Sequence, residues 1–258
     1  METGMIDPAA QLFGIMSHSP LGLEETLVKL QKIGFSYIEP CLAMEPIPGF
    51  EKAFWPKEVF SAQVPLLRSL GLQLRSAHIV GADLLREADW LLQIAREHGI
   101  RFYVVKVPQD LDRASLDHAA ADYCHLADVL ADAGIRLALH NDAEEIERRV
   151  DGISAYEYLI NRCQGKLYAQ VDIGWMHYAG EDVLEFLERQ KERVLSIHYK
   201  DFDAQGQPAH IGQGAVKVES IARATRAWNL WPVLETALFT DKMFQDLEET
   251  LARMRAWG

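Results

Sequence analysis

The sequence has few cysteines and no long apolar run. Its cysteines, Cys41, Cys124 and Cys163, are an odd number without C-x-x-C spacing, so we expect a reducing compartment and neither a disulfide framework nor a zinc knuckle. No apolar run approaches the roughly 20 residues of a membrane span. The segment Met1 to Pro8 has no basic cluster and is unlike a secretory signal. These absences predict a cytoplasmic protein that does not contact a membrane.

Clustered positive charge and phosphate-binding loops are also absent. The 26 Lys and Arg residues are outnumbered by 38 Asp and Glu residues, for a net charge of −12. This balance disfavours nucleic acid as a partner, because phosphate contacts need clustered basic groups. No Gly-rich loop with a lysine at P-loop spacing is present, so we expect a substrate without phosphate groups.

A repeated pattern runs through the chain. An amphipathic helical segment ends in glycine, and a short apolar run rich in β-forming residues follows. Glycine suits the left-handed position that ends a helix, and an apolar run suits a strand that is covered on both faces. The pattern occurs at five glycines: Gly34, Gly71, Gly99, Gly134 and Gly165. The number of residues between successive glycines of this set is typical of one β-α unit.

Eight strands are predicted along the chain. They are QLFGIM from Gln11, YIEP, LRSAHIV, YVVKVP, LALHN, YAQVDI, VLSIHYKDF and PVLETAL. Helical patterns separate them, which predicts a single (β/α)8 TIM barrel of the α/β class over residues 1–258, since such barrels need about 250 residues. An open doubly wound sheet would ordinarily carry G-x-G-x-x-G after its first strand, and SHSPLGLEE follows here. The segment Cys41 to Pro56 is predicted to be a long loop.

Ionisable side chains stand near the ends of seven of the eight predicted strands. Active sites of these barrels lie at the C-terminal ends of the strands, and ionisable groups are rarely buried without a partner or a metal. We therefore expect these side chains to form a ring at one rim. In chain order they are Glu39, His78, Lys106, His140, Asp172, His198 with Lys200 and Asp201, and Glu235.

Four members of this ring form a plausible metal set. Two imidazoles, His140 and His198, and two carboxylates, Asp172 and Glu235, suit a divalent ion such as Mn²⁺, Co²⁺, Zn²⁺ or Fe²⁺. They come from four successive predicted strands, which a barrel brings to one side. Each has a simpler alternative: a helix cap for Asp172, a structural histidine for His198, and an ion-paired core carboxylate for Glu235.

Several motifs resemble the sugar phosphate isomerase/epimerase superfamily, the xylose isomerase-like barrels. They are VDIGWMHYAG after strand six, HYKDFD after strand seven, HIGQG shortly beyond, and LET on strand eight. The segment LALHND resembles a branch whose fifth strand reads Y-H-N-H. The resemblance covers essentially the whole chain and leaves the substrate open.

The resemblance implies one divalent ion at the barrel mouth, usually manganese, with Mg²⁺ among the alternatives. Asp172, His198 and Glu235 match the family's ligands on strands six to eight. The strand-five ligand is usually a glutamate, and His140 stands there. Either His140 is a ligand or base, or an acid in the following loop, Glu144 or Glu145, reaches the site; the related branch often has an acid at the position of Glu145.

This chemistry predicts a sugar isomerase or epimerase. A divalent ion polarises the carbonyl of a ketose or keto-sugar, a carboxylate or imidazole removes the neighbouring proton, and a metal-stabilised enediolate forms. Glu235 is predicted to be both ligand and base, and Lys200 either neutralises the enediolate or forms an ion pair with Asp201. The alternatives are a lyase of the inosose dehydratase type and a non-catalytic sugar-binding barrel.

The remaining polar residues are predicted to bind a sugar or cyclitol substrate. Glu39 and His78 hold hydroxyls or act as a second acid/base, or they are a rim ion pair and a core histidine. The predicted substrate-binding set also includes Lys106, Trp175 as a stacking face, His177, and His210, which equally suits a loop cap. Phe54 and Trp55 are predicted to form a lid or to pack. The resemblance also allows a homo-oligomer, because family members are often dimers or tetramers.

Overall fold

The computed structural model describes residues 6–257. Its strands are β1 (Ala9–Gln11), β2 (Tyr37–Glu39), β3 (Cys41–Ala43), β4 (Phe54–Trp55), β5 (Gln73–Leu74), β6 (Ser76–Val80), β7 (Phe102–Lys106), β8 (Arg136–His140), β9 (Arg149–Val150), β10 (Ile153–Ser154), β11 (Leu167–Asp172), β12 (Val194–Tyr199) and β13 (Trp231–Leu234). Its α-helices are α1 (Leu12–His18), α2 (Leu23–Ile33), α3 (Lys57–Leu70), α4 (Ala88–His98), α5 (Arg113–Ala131), α6 (Ala143–Glu147), α7 (Ala155–Arg162), α8 (Ile173–Tyr178), α9 (Val183–Gln190), α10 (Val218–Ala227) and α11 (Met243–Ala256).

The main sheet is parallel and closes on itself. Its order is β4-β3-β6-β7-β8-β11-β12-β13-β1-β2-β5, and two of its barrel strands are each broken by one residue. Pro40 separates β2 from β3, and Arg75 separates β5 from β6. Because β2 pairs with β1 and β5 while β3 pairs with β6, the broken strands join the two ends of the sheet. The predicted (β/α)8 barrel is confirmed.

The glycines at the ends of helical segments adopt the predicted left-handed conformation. Gly34, which follows α2 as predicted from LEETLVKLQKI, has φ 107° and Gly99 after α4 has φ 77°. Gly71, Gly134 and Gly165 also have positive φ. A side chain is strained in this conformation, so these positions end the helices and turn the chain into the next strand.

The first predicted strand is shorter than its apolar run. The strand ends at Gln11, and Leu12 already begins α1. Gln11 accepts a hydrogen bond from the backbone N–H of Phe13 and so caps the helix, which an apolar run by itself does not reveal. The predicted loop between Cys41 and Pro56 also contains two short strands, and β4 pairs with β3 at the sheet edge.

The expected absence of a disulfide is wrong. The structure joins Cys124 on α5 to Cys163 after α7, 39 residues apart, with their Cα atoms 5.3 Å apart. These helices pack side by side outside the barrel. Sequence spacing does not reveal such a pairing, because it depends on which faces the two helices turn toward each other.

The barrel interior has an apolar end and a polar layer. A small buried cluster, including Phe102, Val104 and Trp231, fills the N-terminal end of the strands. The larger apolar core lies between the strands and the surrounding helices. Toward the C-terminal ends the interior is polar, with Glu39 and His198 completely buried. Over residues 6–257, no helix combines the length and the apolar character that crossing a membrane requires.

Candidate metal and substrate site

The predicted metal set lies together at the C-terminal ends of four neighbouring strands. His140 ends β8, Asp172 ends β11, His198 lies in β12, and Glu235 directly follows β13. Parallel pairing sets Asp172 beside His198. Each of the four residues offers one ligand atom, and these atoms all lie within 4.8 Å of one another. The residues that the sequence selected one strand at a time therefore converge.

The spacing of the ligand atoms suits a divalent cation. His140 Nε2 lies 3.2 Å from His198 Nδ1, 3.8 Å from Asp172 Oδ2 and 4.0 Å from Glu235 Oε2. Ligands that each lie about 2.1 Å from one ion are separated by about 3–4 Å. His198 Nδ1 and Glu235 Oε2 are closer, at 2.7 Å. The donor set of two nitrogens and two oxygens fits an ion of intermediate hardness.

The two carboxylate oxygens of Asp172 have different contacts. Oδ1 accepts a hydrogen bond of 2.9 Å from the Trp175 backbone N–H and caps α8. Oδ2 is buried without a hydrogen bond, although it forms an ion pair of 3.0 Å with Lys200 Nζ. Burial raises the pKa of Asp172. Asp172 therefore caps a helix through Oδ1, as the simpler alternative predicts, while Oδ2 is available as a metal ligand.

Lys200 lies between the two carboxylates of the site. Its Nζ is 2.9 Å from Glu235 Oε1 and 3.0 Å from Asp172 Oδ2, and the side chain is buried. Burial opposes its charge, but the two carboxylates outweigh that effect and raise the Lys200 pKa. The alternative ion pair with Asp201 is wrong, because Asp201 instead accepts hydrogen bonds from backbone N–H groups of the following loop, such as that of Gly214.

Glu39 supports the site from below. Its carboxylate is completely buried and accepts a 2.7 Å hydrogen bond from His198 Nε2. Burial opposes the charge, but His198 and His78 outweigh it and lower the pKa of Glu39. Burial also opposes the charge of His198, but Glu39 and Glu235 outweigh it and raise the pKa of His198 to about 9. Glu39 does not line the cavity, and its contact with substrate hydroxyls stays a prediction.

A buried glutamine, which sequence analysis missed, organises His78. Gln170 on β11 donates to Glu39 Oε2 at 2.9 Å and to Ser196 Oγ at 3.3 Å. Its Oε1 therefore faces His78 Nε2, 2.7 Å away, and accepts a hydrogen bond from it. A neutral His78 then carries its proton on Nε2, and its Nδ1 is free to accept a proton.

His140 is a neutral ligand candidate. Burial lowers its pKa well below the usual value, and the neighbouring Lys106 adds to this effect. Lys106 Nζ lies 3.2 Å from His140 Nδ1 and forms an ion pair with Asp142 at the rim. A neutral imidazole is the form that binds metals. Lys106 and His140 end neighbouring predicted strands, so their proximity follows from the sequence. The contact with Asp142 was not predicted.

Two of the converging residues, His140 and Glu235, line a cavity of about 450 Å³. Six of the predicted site residues line it: His78, Lys106, His140, Trp175, Lys200 and Glu235. Its upper walls carry aromatic rings that sequence analysis did not assign to the site, including Phe13 and Phe239. Of the two proposed lid residues, Phe54 lines the cavity, but Trp55 is completely buried in the core.

Besides Glu39, three predicted site residues lie outside both this cavity and the converging set. Glu145 is buried, and its carboxylate accepts a 2.9 Å hydrogen bond from the Asp142 backbone N–H, capping α6. His177 lines a separate groove next to α9. His210 forms an ion pair with Asp246 on α11. Helix capping and loop packing hold these side chains away from the cavity, and their roles at the site stay predictions.

Comparisons with known proteins identify the fold. No protein-family model matches the chain, and no curated protein matches it. Among solved structures, a sugar phosphate isomerase/epimerase from Parabacteroides distasonis aligns at 17% identity with a TM-score of 0.76, covering 99% of this chain and 96% of that one. A xylose isomerase-like TIM barrel protein from Mycobacterium smegmatis, in complex with magnesium, aligns at 16% identity and TM-score 0.74, covering 98% and 96%.

A third solved structure is a probable 3-DHS dehydratase from Bacillus anthracis. It aligns at 12% identity with a TM-score of 0.71, covering 96% of this chain and 98% of that one. Together these likenesses show that the chain has the xylose isomerase-like TIM barrel fold, as the sequence resemblance predicted. Because one fold hosts several chemistries, the fold by itself does not define the reaction.

Proposed function

We propose that the protein is a divalent-metal-dependent isomerase or epimerase that acts on an unphosphorylated ketose or keto-sugar. The observation that carries this proposal is the convergence of His140, Asp172, His198 and Glu235 within 4.8 Å beside the buried ammonium of Lys200, at the floor of a cavity. Single-domain organisation, a cytoplasmic location and a homo-oligomeric state remain predictions.

The four converging residues would hold the ion, and Asp172 Oδ2, which has no hydrogen bond and contacts Lys200 Nζ, would be one of the ligand atoms. Manganese is our first choice, as the resemblance implies, and magnesium, present in one structural relative, is an alternative. When bound, a divalent cation polarises a substrate carbonyl and so acidifies the neighbouring C–H. His140, kept neutral by burial, takes the place of the family's usual strand-five glutamate.

Glu235 is the proposed base. It lines the cavity, and its ion pair with Lys200, together with the hydrogen bond with His198, lowers its pKa well below the usual value despite burial. It is therefore ionised at neutral pH and able to accept a proton from the carbon next to the carbonyl. The ammonium of Lys200, fixed 2.9 Å from Glu235 Oε1, offsets the negative charge that develops on the enediolate.

His78 is the proposed second acid/base. It also lines the cavity, and Gln170 directs its Nε2 proton away from the position where a proton would be transferred. His78 first takes up a proton from solvent on Nδ1. Transfer of that proton to the carbon that Glu235 has deprotonated inverts the stereocentre if the two residues address opposite faces of the substrate, and this gives epimerisation. Return to the adjacent carbon gives isomerisation.

The test is deuterium incorporation. We expect the manganese-loaded protein to catalyse exchange of the proton next to the carbonyl of a ketose such as D-tagatose or D-fructose in D₂O, followed by NMR. Glu235→Gln, which is nearly isosteric, should abolish exchange without unfolding the protein. Glu147→Gln, the same change at an exposed site on α6, is the matched control. Full exchange by Glu235→Gln would remove Glu235 as the base.

A lyase is the second candidate, and the structural likeness to a probable 3-DHS dehydratase supports it. The same proton removal followed by loss of a β-hydroxyl gives dehydration instead of epimerisation. Mass spectrometry of the product distinguishes the two reactions, because dehydration lowers the product mass by one water and epimerisation leaves it unchanged.

A further inference from the structure

Exposed aromatic and apolar rings are concentrated at the cavity mouth. Within residues 6–257, the large hydrophobic side chains with high exposure are Phe50 at 45%, Tyr178 at 51% and Phe239 at 41%. Phe239 lines the cavity directly, and each of the other two contacts an aromatic residue that lines it. Exposed apolar surface that is gathered around one cavity marks a binding site.

Two aromatic walls stand above the charged floor. The Phe13 wall consists of Phe13, Phe50 and Phe54, whose ring centroids lie 5.5–6.2 Å apart. The Trp175 wall consists of Trp175, Tyr178 and Phe202, whose centroids lie 4.8–5.7 Å apart. These separations are those of favourable aromatic packing, so each wall is a packed unit.

Close packing against glycine holds the exposed rings in place. A Cβ at Gly14 would lie 2.9 Å from the Phe239 ring, and one at Gly206 would lie 2.9 Å from the Tyr178 ring. Phe239 also stacks on His18, with centroids 3.7 Å apart and ring planes 5° apart. Rings seated against glycine in this way are positioned by the fold, so they form a preformed surface.

The charged side chains of the cavity belong to its floor and one edge. Lys200 and Glu235 lie at the base, and Lys106 pairs with Asp142 at the rim. A free monosaccharide carries hydroxyls around its whole ring, and those facing Phe13 or Phe54 would lose water without gaining a hydrogen-bond partner. The cavity of about 450 Å³ also falls in the range that holds ligands larger than one sugar ring.

We propose that the substrate is an amphipathic hydroxyketone: a keto-sugar or keto-cyclitol joined to a flat apolar group such as an aryl ring. The polyhydroxylated ketone faces the floor, and the apolar group lies between the Phe13 wall and the Trp175 wall. This inference rests on the proposed function for the ketone end of the ligand. The aromatic walls supply the recognition of the other end.

The experiment compares two ligands that differ in one substituent. Methyl 3-oxo-β-D-glucopyranoside and phenyl 3-oxo-β-D-glucopyranoside are titrated into the manganese-loaded protein by calorimetry, and deuterium exchange on each is followed separately. We expect the phenyl compound to bind about tenfold more tightly, since ring burial and aromatic contacts favour it. Phe54→Ala and Phe239→Ala should each reduce this preference several-fold, because they weaken binding of the phenyl compound more than binding of the methyl compound.

Tyr168→Ala is the matched control. Tyr168 lies at the start of β11, at the opposite end of the barrel, where it contacts Arg136. This variant should retain the full preference for the phenyl compound. Equal affinity for the two ligands, or a preference that survives both wall substitutions, would overturn the inferred substrate class.

The outcomes separate the two proposals. Exchange on the methyl compound without any phenyl preference leaves the proposed function in place and overturns the substrate class. A wall-dependent phenyl preference without exchange on either compound supports the ligand class and overturns the proposed reaction. If Phe239→Ala and Tyr178→Ala instead dissociate a dimer in sedimentation and leave ligand binding unchanged, the walls bind a second copy of the chain and the inference fails.

Discussion

His140 Nε2 lies 3.2 Å from His198 Nδ1, with both rings buried. Two ring nitrogens at this distance cannot both carry a proton without repulsion. Asp172 and Glu235 each bring an oxygen within 4.0 Å of the same His140 nitrogen. A divalent cation at this position would contact all four groups together.

Metal binding should depend on Asp172. We expect the purified protein to bind one Mn²⁺ per chain. Changing a residue that only supports a ligand costs roughly 10- to 100-fold in metal affinity, so Asp172→Asn should weaken manganese binding by at least this factor. Equilibrium dialysis with elemental analysis measures both. Asp110→Asn, at an exposed position, should bind the ion like the unmodified protein. Equal manganese affinity in Asp172→Asn would rule out this residue as a ligand.

Glu39 should act through His198. Glu39→Gln removes the charge that orients the His198 ring through the 2.7 Å contact with Nε2, so we expect manganese affinity to fall about 10- to 100-fold. Glu58→Gln, an exposed change on α3, should have no effect. The same dialysis measures both variants, and a normal manganese affinity in Glu39→Gln would show that the ring is held by other contacts.

Cys41 should resist alkylation in the folded protein. It is buried beside Gln11, and burial raises its pKa to about 12 from 9.0. The reactive thiolate is then about a thousandfold less populated at pH 8, and its population rises as the pH approaches 12. We expect iodoacetamide at pH 8 to leave Cys41 unmodified in the native protein and to label it fully in urea, as read by mass spectrometry. Rapid labelling of the native protein would contradict the buried assignment.

The Cys124–Cys163 disulfide should contribute to stability. Its sequence separation of 39 corresponds to a loss of about 3–4 kcal/mol from the free energy of unfolding when both residues are replaced by serine. Urea unfolding measures this, with Cys124→Ser/Cys163→Ser compared with the oxidised protein. Dithiothreitol should destabilise the unmodified protein and leave the double variant unchanged. If the reductant affects neither protein, the two sulfurs are not bonded in solution.

Much of the metal set could be predicted because its chemistry lies at strand ends. His140, Asp172 and Glu235 each follow an apolar run, and parallel strands in a barrel present their C-terminal ends at one rim. Glu39 follows the same pattern and was placed with them, yet its side chain points into the barrel. A side chain's direction alternates along a strand, so a position near a strand end does not by itself show that the side chain lines the cavity.

Three loop and helix residues show where sequence patterns no longer predict the position of a side chain. Glu145, His177 and His210 each stand near predicted site residues in the chain, but a helix cap, a separate groove and an ion pair with Asp246 hold them elsewhere. Gln170 and Phe239 were missed for the opposite reason. A glutamine in a strand and a phenylalanine in a loop gain their roles from neighbours that are distant in sequence.

The sequence by itself determined the barrel, the glycine-terminated helices and the four candidate ligands, because these depend on local conformational preference and on the periodic burial of apolar residues. The tertiary structure decided which groups share one space: Glu39 beneath His198, Lys200 between Asp172 and Glu235, and Cys124 beside Cys163. Hydrogen bonds and ion pairs require atoms within about 3–4 Å. Only the packing of the complete chain brings such atoms together.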